Sequence, residues 1–251
     1  MKRIIALILL LATAMLTTSC YKYDAVSDEV RTHEIASDVH SLYISINAAD
    51  FRIERADKLS VESNLKYLSV SNDSGVLSVV DEARPHSRYT GATLTLFLPS
   101  DTVFDSVSIE TGASKMTVGS LSANYLDLKL GAGDICFDTL NAYSEIKIRG
   151  GAGAVTVSGG TLNDLSLEMG VGELNLTAAL MGESELEFGV GEANLTLIGG
   201  KDIYEIDIDK GIGNITVDGK SVSDFGSSGN GSNKVDVDGG VGAINIVFKD
   251  N

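Results

Sequence analysis

Six full copies of a Gly-x-Gly signature punctuate the carboxy-terminal half of the chain: Gly131-Ala132-Gly133, Gly151-Ala152-Gly153, Gly170-Val171-Gly172, Gly189-Val190-Gly191, Gly211-Ile212-Gly213 and Gly240-Val241-Gly242. A degenerate copy, Thr111-Gly112-Ala113, precedes them, and from Gly112 onward the first glycines are separated by 19, 20, 19, 19, 22 and 29 residues. So even a period, between short runs of alternating apolar and polar residues, specifies a stack of repeats rather than a fold around one central core.

The residues second and fourth after each closing glycine are apolar in every full copy, from Ile135 and Phe137 through Leu174 and Leu176 to Ile244 and Ile246. The run entering each glycine pair has the same period of two, as in Leu126, Leu128 and Leu130 or Val235 and Val237. The chain is therefore predicted to be all-β: a parallel β-solenoid with two short strands per rung of roughly 20 residues, Gly-x-Gly at one corner and a turn at the other. Stacking equivalent strands buries a continuous apolar column and pairs the backbone everywhere except at the two ends. The alternative geometry makes Gly-x-Gly a hairpin turn in an antiparallel meander. Near-equal periods with matching residue types at matching positions favour the parallel stack. Val217 to Val235 holds the one long interval and includes Gly226-Ser227-Ser228-Gly229-Asn230-Gly231-Ser232, the composition of a mobile loop and a secondary place for binding residues.

Ahead of the repeats, period-two runs begin at Leu42, Ile44 and Ile46 and recur at Leu59–Ser63, Tyr67–Val70, Val76–Val80 and Ala92–Leu98 without the glycine mark. They form irregular amino-terminal rungs of the same body. Leu94-Thr95-Leu96-Phe97-Leu98-Pro99, followed by Val107, Ile109 and Gly112 and then by serial strand, glycine, strand units, resembles the bacterial putative-adhesin family of β-solenoid envelope proteins. The resemblance covers Leu42 to Phe248 and implies a solenoid that acts as a structural or interaction protein. It supplies no catalytic residues to carry over.

Residues 1–19 have the parts of a secretory signal peptide: Lys2 and Arg3, an apolar run from Ile4 to Met15, and small residues before Cys20. Leu16-Thr17-Thr18-Ser19-Cys20 resembles a lipoprotein lipobox, which implies lipid attachment at Cys20. The competing reading is ordinary signal cleavage nearby. Residues 20–41, polar and without clear period, are expected to be a lipid-anchored tether with at most a short strand, and residues 42–251 a single solenoid domain. The expected address is extracytoplasmic, membrane-anchored in the bacterial cell envelope. The only other cysteine, Cys136, has no partner if Cys20 is acylated, so no disulfide framework supports the fold.

The formal net charge is −16, and without Lys2 and Arg3 the 19 basic residues become 17 against 35 acidic ones, or −18. That excludes nucleic acid as an expected partner, since binding it needs clustered Lys and Arg. The expected partners are the membrane, through the anchor, and a protein or glycan ligand.

No catalytic, cofactor-binding or metal-binding residues are assigned. His33, His40 and His86 share no metal-ligand spacing. Asp81 to Gly91 carries Arg84, His86 and Tyr89, but a hairpin or rung loop accounts for that composition. Gly150-Gly151-Ala152-Gly153 and Gly239-Gly240-Val241-Gly242 lead into strand-like residues rather than a helix, so they are not phosphate loops. Calcium rolls place an aspartate where these copies have Val155 and Ile244.

Two outward rows do carry a pattern. Lys129, Arg149, Glu168, Glu187, Asp209 and Asp238 stand two residues before each first glycine, and Asp127, Lys147, Ser166, Glu185, Asp207 and Asp236 two residues earlier. One face turns from mixed charge to acidic; it is either a weak site for cations or a solvated surface that discourages edge pairing. Asn175 and Asn194 share another outward position on neighbouring rungs and are expected to form a side-chain ladder, with Thr216 separating them from Asn245. The expected function is a non-catalytic, lipid-anchored envelope protein, an adhesin. The alternatives are a polysaccharide-acting β-helix enzyme and an envelope sensor or assembly partner; paucity of exposed aromatics and the absence of tryptophan weigh against the enzyme.

Overall fold

The computed structural model describes residues 23–35, 38–209, 211–222 and 225–250. Residues 1–19, expected to be a signal peptide, and Cys20 lie outside the described residues. Strand follows strand throughout, interrupted by one 3-10 turn at Lys201–Ile203. The strands are β1 (Val26–Glu34), β2 (Ser41–Ile46), β3 (Asp50–Arg55), β4 (Ser60–Leu65), β5 (Leu68–Asp73), β6 (Val76–Asp81) and β7 (Thr93–Leu98). Then come β8 (Phe104–Ala113), the long ribbon β9 (Lys115–Val157), β10 (Thr161–Asn163), β11 (Leu165–Met181) and β12 (Glu183–Ile198). The last are β13 (Tyr204–Asp209), β14 (Ile212–Val217), β15 (Lys220–Val222), β16 (Phe225–Ser228) and β17 (Asn233–Lys249).

The parallel stack predicted by the glycine period is the architecture of the chain. β9 pairs in parallel with β11, β11 with β12 and β12 with β17, so that Ile148, Leu167, Leu186 and Val237 fall in one column. Val155, Leu174, Ala193 and Ile244 form the column beyond the corner. Every one of these residues is buried. A third side closes the central rungs, where Leu162 lies between Ala142 and Leu180 and all three are fully buried. Each fully buried Val, Leu or Ile contributes about 1.5–3 kcal/mol of transfer free energy, and the period-two pattern directs all of it into one continuous column.

The order of rungs in space differs from their order in the chain, at both ends. β17 is the last repeat in sequence, yet it lies between β12 on one side and β13 and β14 on the other: Val237 pairs with both Leu186 and Ile208, and Ile244 with both Ala193 and Ile215. At the other end β2 lies between β6 and β8, with Ile44 opposite both Val79 and Ile109. Likewise β3 lies between β7 and β9. In each case the rung nearest the chain end sits one place inward, and the rung next in sequence is outermost.

Antiparallel strands cover the outermost rungs. At the amino-terminal end β4 lies on β7, β1 on β4 and β5 on β6. At the carboxy-terminal end β15 lies on β14 and β16 on β13. Unpaired strand edges invite aggregation, and these short antiparallel strands blunt both ends.

Two sequence expectations are corrected here. Val26–Glu34, expected to be tether with at most a short strand, is a nine-residue strand on β4, and Ala25 just before it is fully buried. The stretch between Val217 and Val235, expected to be a mobile loop, carries β15 and β16 and so builds the cap. The interval of 29 residues between Gly211 and Gly240 is long because the chain must cap the stack and then return one rung inward. The Asp81 to Gly91 loop is a clamp on the amino-terminal segment: Arg88 bridges to Asp24, and the Arg84 guanidinium lies 4.8 Å from the centre of the Tyr23 ring.

Candidate functional site

The corner itself follows from backbone geometry. The second glycine of each pair has φ in the left-handed region, from +124° at Gly153 to +154° at Gly213. A Cβ on Gly172 would overlap the carbonyl oxygen of Gly153 one rung away, and one on Gly191 would overlap that of Gly172. Glycine is therefore required both for its φ and for close approach. The turn points the middle residue of each triplet away from the core, and these residues stack in register along the corner. In spatial order they read Ala132, Ala152, Val171, Val190, Val241 and Ile212. The last four are 56%, 51%, 48% and 75% exposed, an apolar ridge of β-branched side chains on consecutive rungs.

The first glycines leave a trough beside this ridge, about 870 Å³ in volume, because they carry no side chains outward. Leu130, Met169 and Phe188 reach its floor, and Lys129, Arg149, Glu168 and Glu187 border its far side. Thr111 lines one end, and its buried hydroxyl has no hydrogen-bond partner among the described residues.

The charged rows take their final form from the interchange of rungs. Glu185, Asp236 and Asp207 are in register on β12, β17 and β13, and so are Glu187, Asp238 and Asp209. Carboxylate oxygens of Glu185, Glu187 and Asp238 lie within 4.8 Å of one another, the only such group of three potential metal ligands among the described residues, and all three residues are exposed. The basic residues earlier in the stack are neutralised locally: Arg149 meets Asp127 at 2.7 Å and Lys147 meets Glu145 at 2.8 Å. The six carboxylates have no ion pair among the described residues; the nearby Lys234 goes to Glu183, at 3.4 Å. The far face of the ridge holds Glu173 and Glu192, which accept hydrogen bonds from Asn175 (2.7 Å) and Asn245 (3.3 Å).

The expected asparagine ladder is longer than the repeat order implies. Asn245 donates to Asn194, Asn194 to Asn175, and Thr216 to Asn245. Thr216 does not separate Asn245 from the others, because β17 lies inside β14. Cys136 holds the equivalent outward position on β9 as a free, half-buried thiol. His40 hydrogen-bonds the Ser74 carbonyl and lies 3.5 Å from Asp105. The exposed ridge was missed in the sequence, although its signal was present: Val or Ile stands at a corner where a solvated turn would carry Ser, Asn or Asp.

These features define an end-capped parallel β-solenoid that displays an apolar ridge between carboxylate rows. The chain belongs to the Toastrack DUF4097 family, whose model matches residues 21–247. Among solved structures, a putative adhesin from Bacteroides fragilis shares the fold with a TM-score of 0.52 and 12% identity, over 88% of this chain and 98% of that one. A putative adhesin from Parabacteroides distasonis aligns at a TM-score of 0.49 and 13% identity, over 91% of this chain and 100% of that one. A putative lipid binding protein from the same species aligns at 0.49 and 16%, over 88% and 98%. Comparison with curated proteins gives no match.

Proposed function

We propose that this chain is a lipid-anchored, non-catalytic protein of the bacterial cell envelope that works as an adhesin-like interaction module. Cys20 is the attachment point, and the corner with its flanking rows is the surface offered to a protein or glycan partner. The observation that carries the reading is the exposed column Val171, Val190, Val241 and Ile212. Single exposed apolar residues are ordinary on any surface, whereas a contiguous apolar strip rimmed by polar groups marks an interaction site. The scaffold beneath it is a stack of parallel-paired strands over a buried apolar column. The similar structure from Bacteroides fragilis carries the name putative adhesin, which agrees with this role. No helix among the described residues is long and apolar enough to cross a membrane. The proposed means of membrane attachment is Cys20, on the lipobox-like run Leu16-Thr17-Thr18-Ser19-Cys20.

Fractionation and capture test the two halves separately. Wild type is expected in the membrane fraction and Cys20→Ala in the soluble fraction; a correctly processed wild type that stays soluble overturns the anchor. Capture from native envelope is expected to recover a partner that the Val190→Ser/Val241→Ser variant loses. Identical recovery by both proteins overturns the surface.

A further inference from the structure

Resting on the interaction surface just described, we propose that its partner presents a cationic amphipathic α-helix, laid along the corner with its apolar stripe against the ridge from Val171 to Ile212 and the Met169–Phe188 end of the glycine trough. Three observations fix that chemistry. The first is charge. On the trough side of the ridge stand Glu168, Glu187, Asp238 and Asp209, and on the other side Glu173 and Glu192. A second copy of this chain would bring its own carboxylates against these, and an anionic lipid surface would be repelled in the same way. An occupant that buries apolar side chains here must carry positive charge on both flanks.

The second observation is spacing. Ridge residues repeat once per rung, about every 4.8 Å. A helix presents one stripe residue per turn of about 5.4 Å, whereas an extended strand repeats same-face residues only every 6.6–6.8 Å. Over the three rung steps from Val171 to Ile212 the helix drifts by roughly 2 Å, less than half a turn, and the strand by roughly 6 Å, a full position. Helix side chains thus stay in phase with the ridge.

The third is shape and polarity. The trough is floored by Met169 and Phe188, with Gly170 and Gly189 leaving room above the backbone. Apolar residues at i, i+3, i+4 and i+7 fill such a trough, and lysines beside them reach the carboxylate rows.

The test uses the purified mature chain and three synthetic peptides of about 15 residues, whose helix spans the trough at 1.5 Å per residue. One has a Leu stripe flanked by Lys, one has Glu in place of Lys, and one has the Leu/Lys composition scrambled. Calorimetry and far-UV circular dichroism are expected to show binding and helix formation for the amphipathic Leu/Lys peptide alone. Val190→Ser/Val241→Ser and Glu187→Gln/Asp238→Asn are each expected to weaken it at least tenfold with unaltered melting temperature or a higher one. Equal binding of the scrambled peptide, or loss in the charge variant with none in the ridge variant, reduces the site to cation condensation and overturns the proposal. Capture of an envelope partner that depends on Val190 and Glu187, without binding of the amphipathic peptide, overturns the helix while the interaction surface stands.

Discussion

Asn245 donates from Nδ2 to Oδ1 of Asn194 at 2.9 Å across 51 residues of chain, with no rung between them. The bond exists because the last repeat is folded back inside the penultimate one. It also links a run of side chains from Thr216 through Asn245 and Asn194 to Asn175 and Glu173. Asn194→Ala breaks this run at its centre. Side-chain hydrogen bonds contribute about 0.5–1.5 kcal/mol net each, and water reaches these half-buried groups. The expected loss is about 1–2 kcal/mol in denaturant unfolding, with Cys136→Ala, off the asparagine run, near zero. Equal stabilities would mean that the ladder is not a unit.

Gly172→Ala and Gly119→Ala test the corner. At Gly172 the φ of +146° and the Gly153 carbonyl both oppose a side chain, whereas a Cβ at Gly119 meets nothing closer than the Ile53 carbonyl oxygen at 3.9 Å. Strained backbone costs about 1–3 kcal/mol per residue, and the overlap adds to it. A fall in Tm of about 6 °C or more for Gly172→Ala is expected, using 2–4 °C per kcal/mol for a chain of this size, with little change for Gly119→Ala. Comparable melting of the two variants contradicts the corner geometry.

Native-state hydrogen exchange distinguishes the interchanged order from a sequential stack. In a sequential stack the chain end is the outermost rung and exchanges early. Here Val237 and Ile244 lie in strands paired on both sides. Their amides are expected among the best protected, while the turn amide of Gly219 exchanges early. Rapid exchange at Ile244 and Ile246 would contradict the placement of β17.

Stacked carboxylates oppose the fold that aligns them. Two charges about 4–5 Å apart repel by roughly 1 kcal/mol in water, less when screened by salt. Glu187→Gln/Asp238→Asn is therefore expected to raise Tm in low salt, with the gain shrinking toward zero near 1 M salt. A variant that melts earlier in low salt would show that these groups hold a favourable contact instead.

Alkaline pH reports on the clamp loop. The Tyr89 hydroxyl is pushed up to about 12, first by burial and then by the hydrogen bond it donates to Asp81 at 2.7 Å. Unfolded tyrosine titrates near 10, so the unfolded chain releases this proton first. The stabilisation is complete below pH 10 and is lost as pH rises from about 10 to 12. Tyr89→Phe is expected to flatten the fall in stability across that window. An unchanged slope would remove Tyr89 as its source.

What the sequence made legible was local. Leu165, Leu167 and Leu174 announce their faces through a period of two, and the glycines announce the corner. Rung order is a long-range property: nothing near Val237 states that it will meet Leu186 as well as Ile208, and only the long interval before Gly240 hints at it. β1 was hidden because Val26–Glu34 is a covering strand without a buried face, so it lacks apolar alternation. Gly229 shows the same limit. It stands in a Gly/Ser-rich run that reads as tolerant, yet its φ is +102° and a Cβ there would overlap the Tyr204 carbonyl. The acidic rows were legible residue by residue, but their tightest grouping, Glu187 beside Asp238, again depends on rung order.

The inward placement of the terminal rungs bears on how the molecule carries force. A tension applied at the carboxy terminus cannot peel β17 from an edge, because two parallel ladders grip it and both must slide in shear together. Tension at the amino terminus first strips β1 from β4 and then meets β2, held between β6 and β8. The amino-terminal covering strand is thus the extensible element and the inner rungs the stop, so a chain loaded at its amino terminus would lengthen before its inner rungs slide.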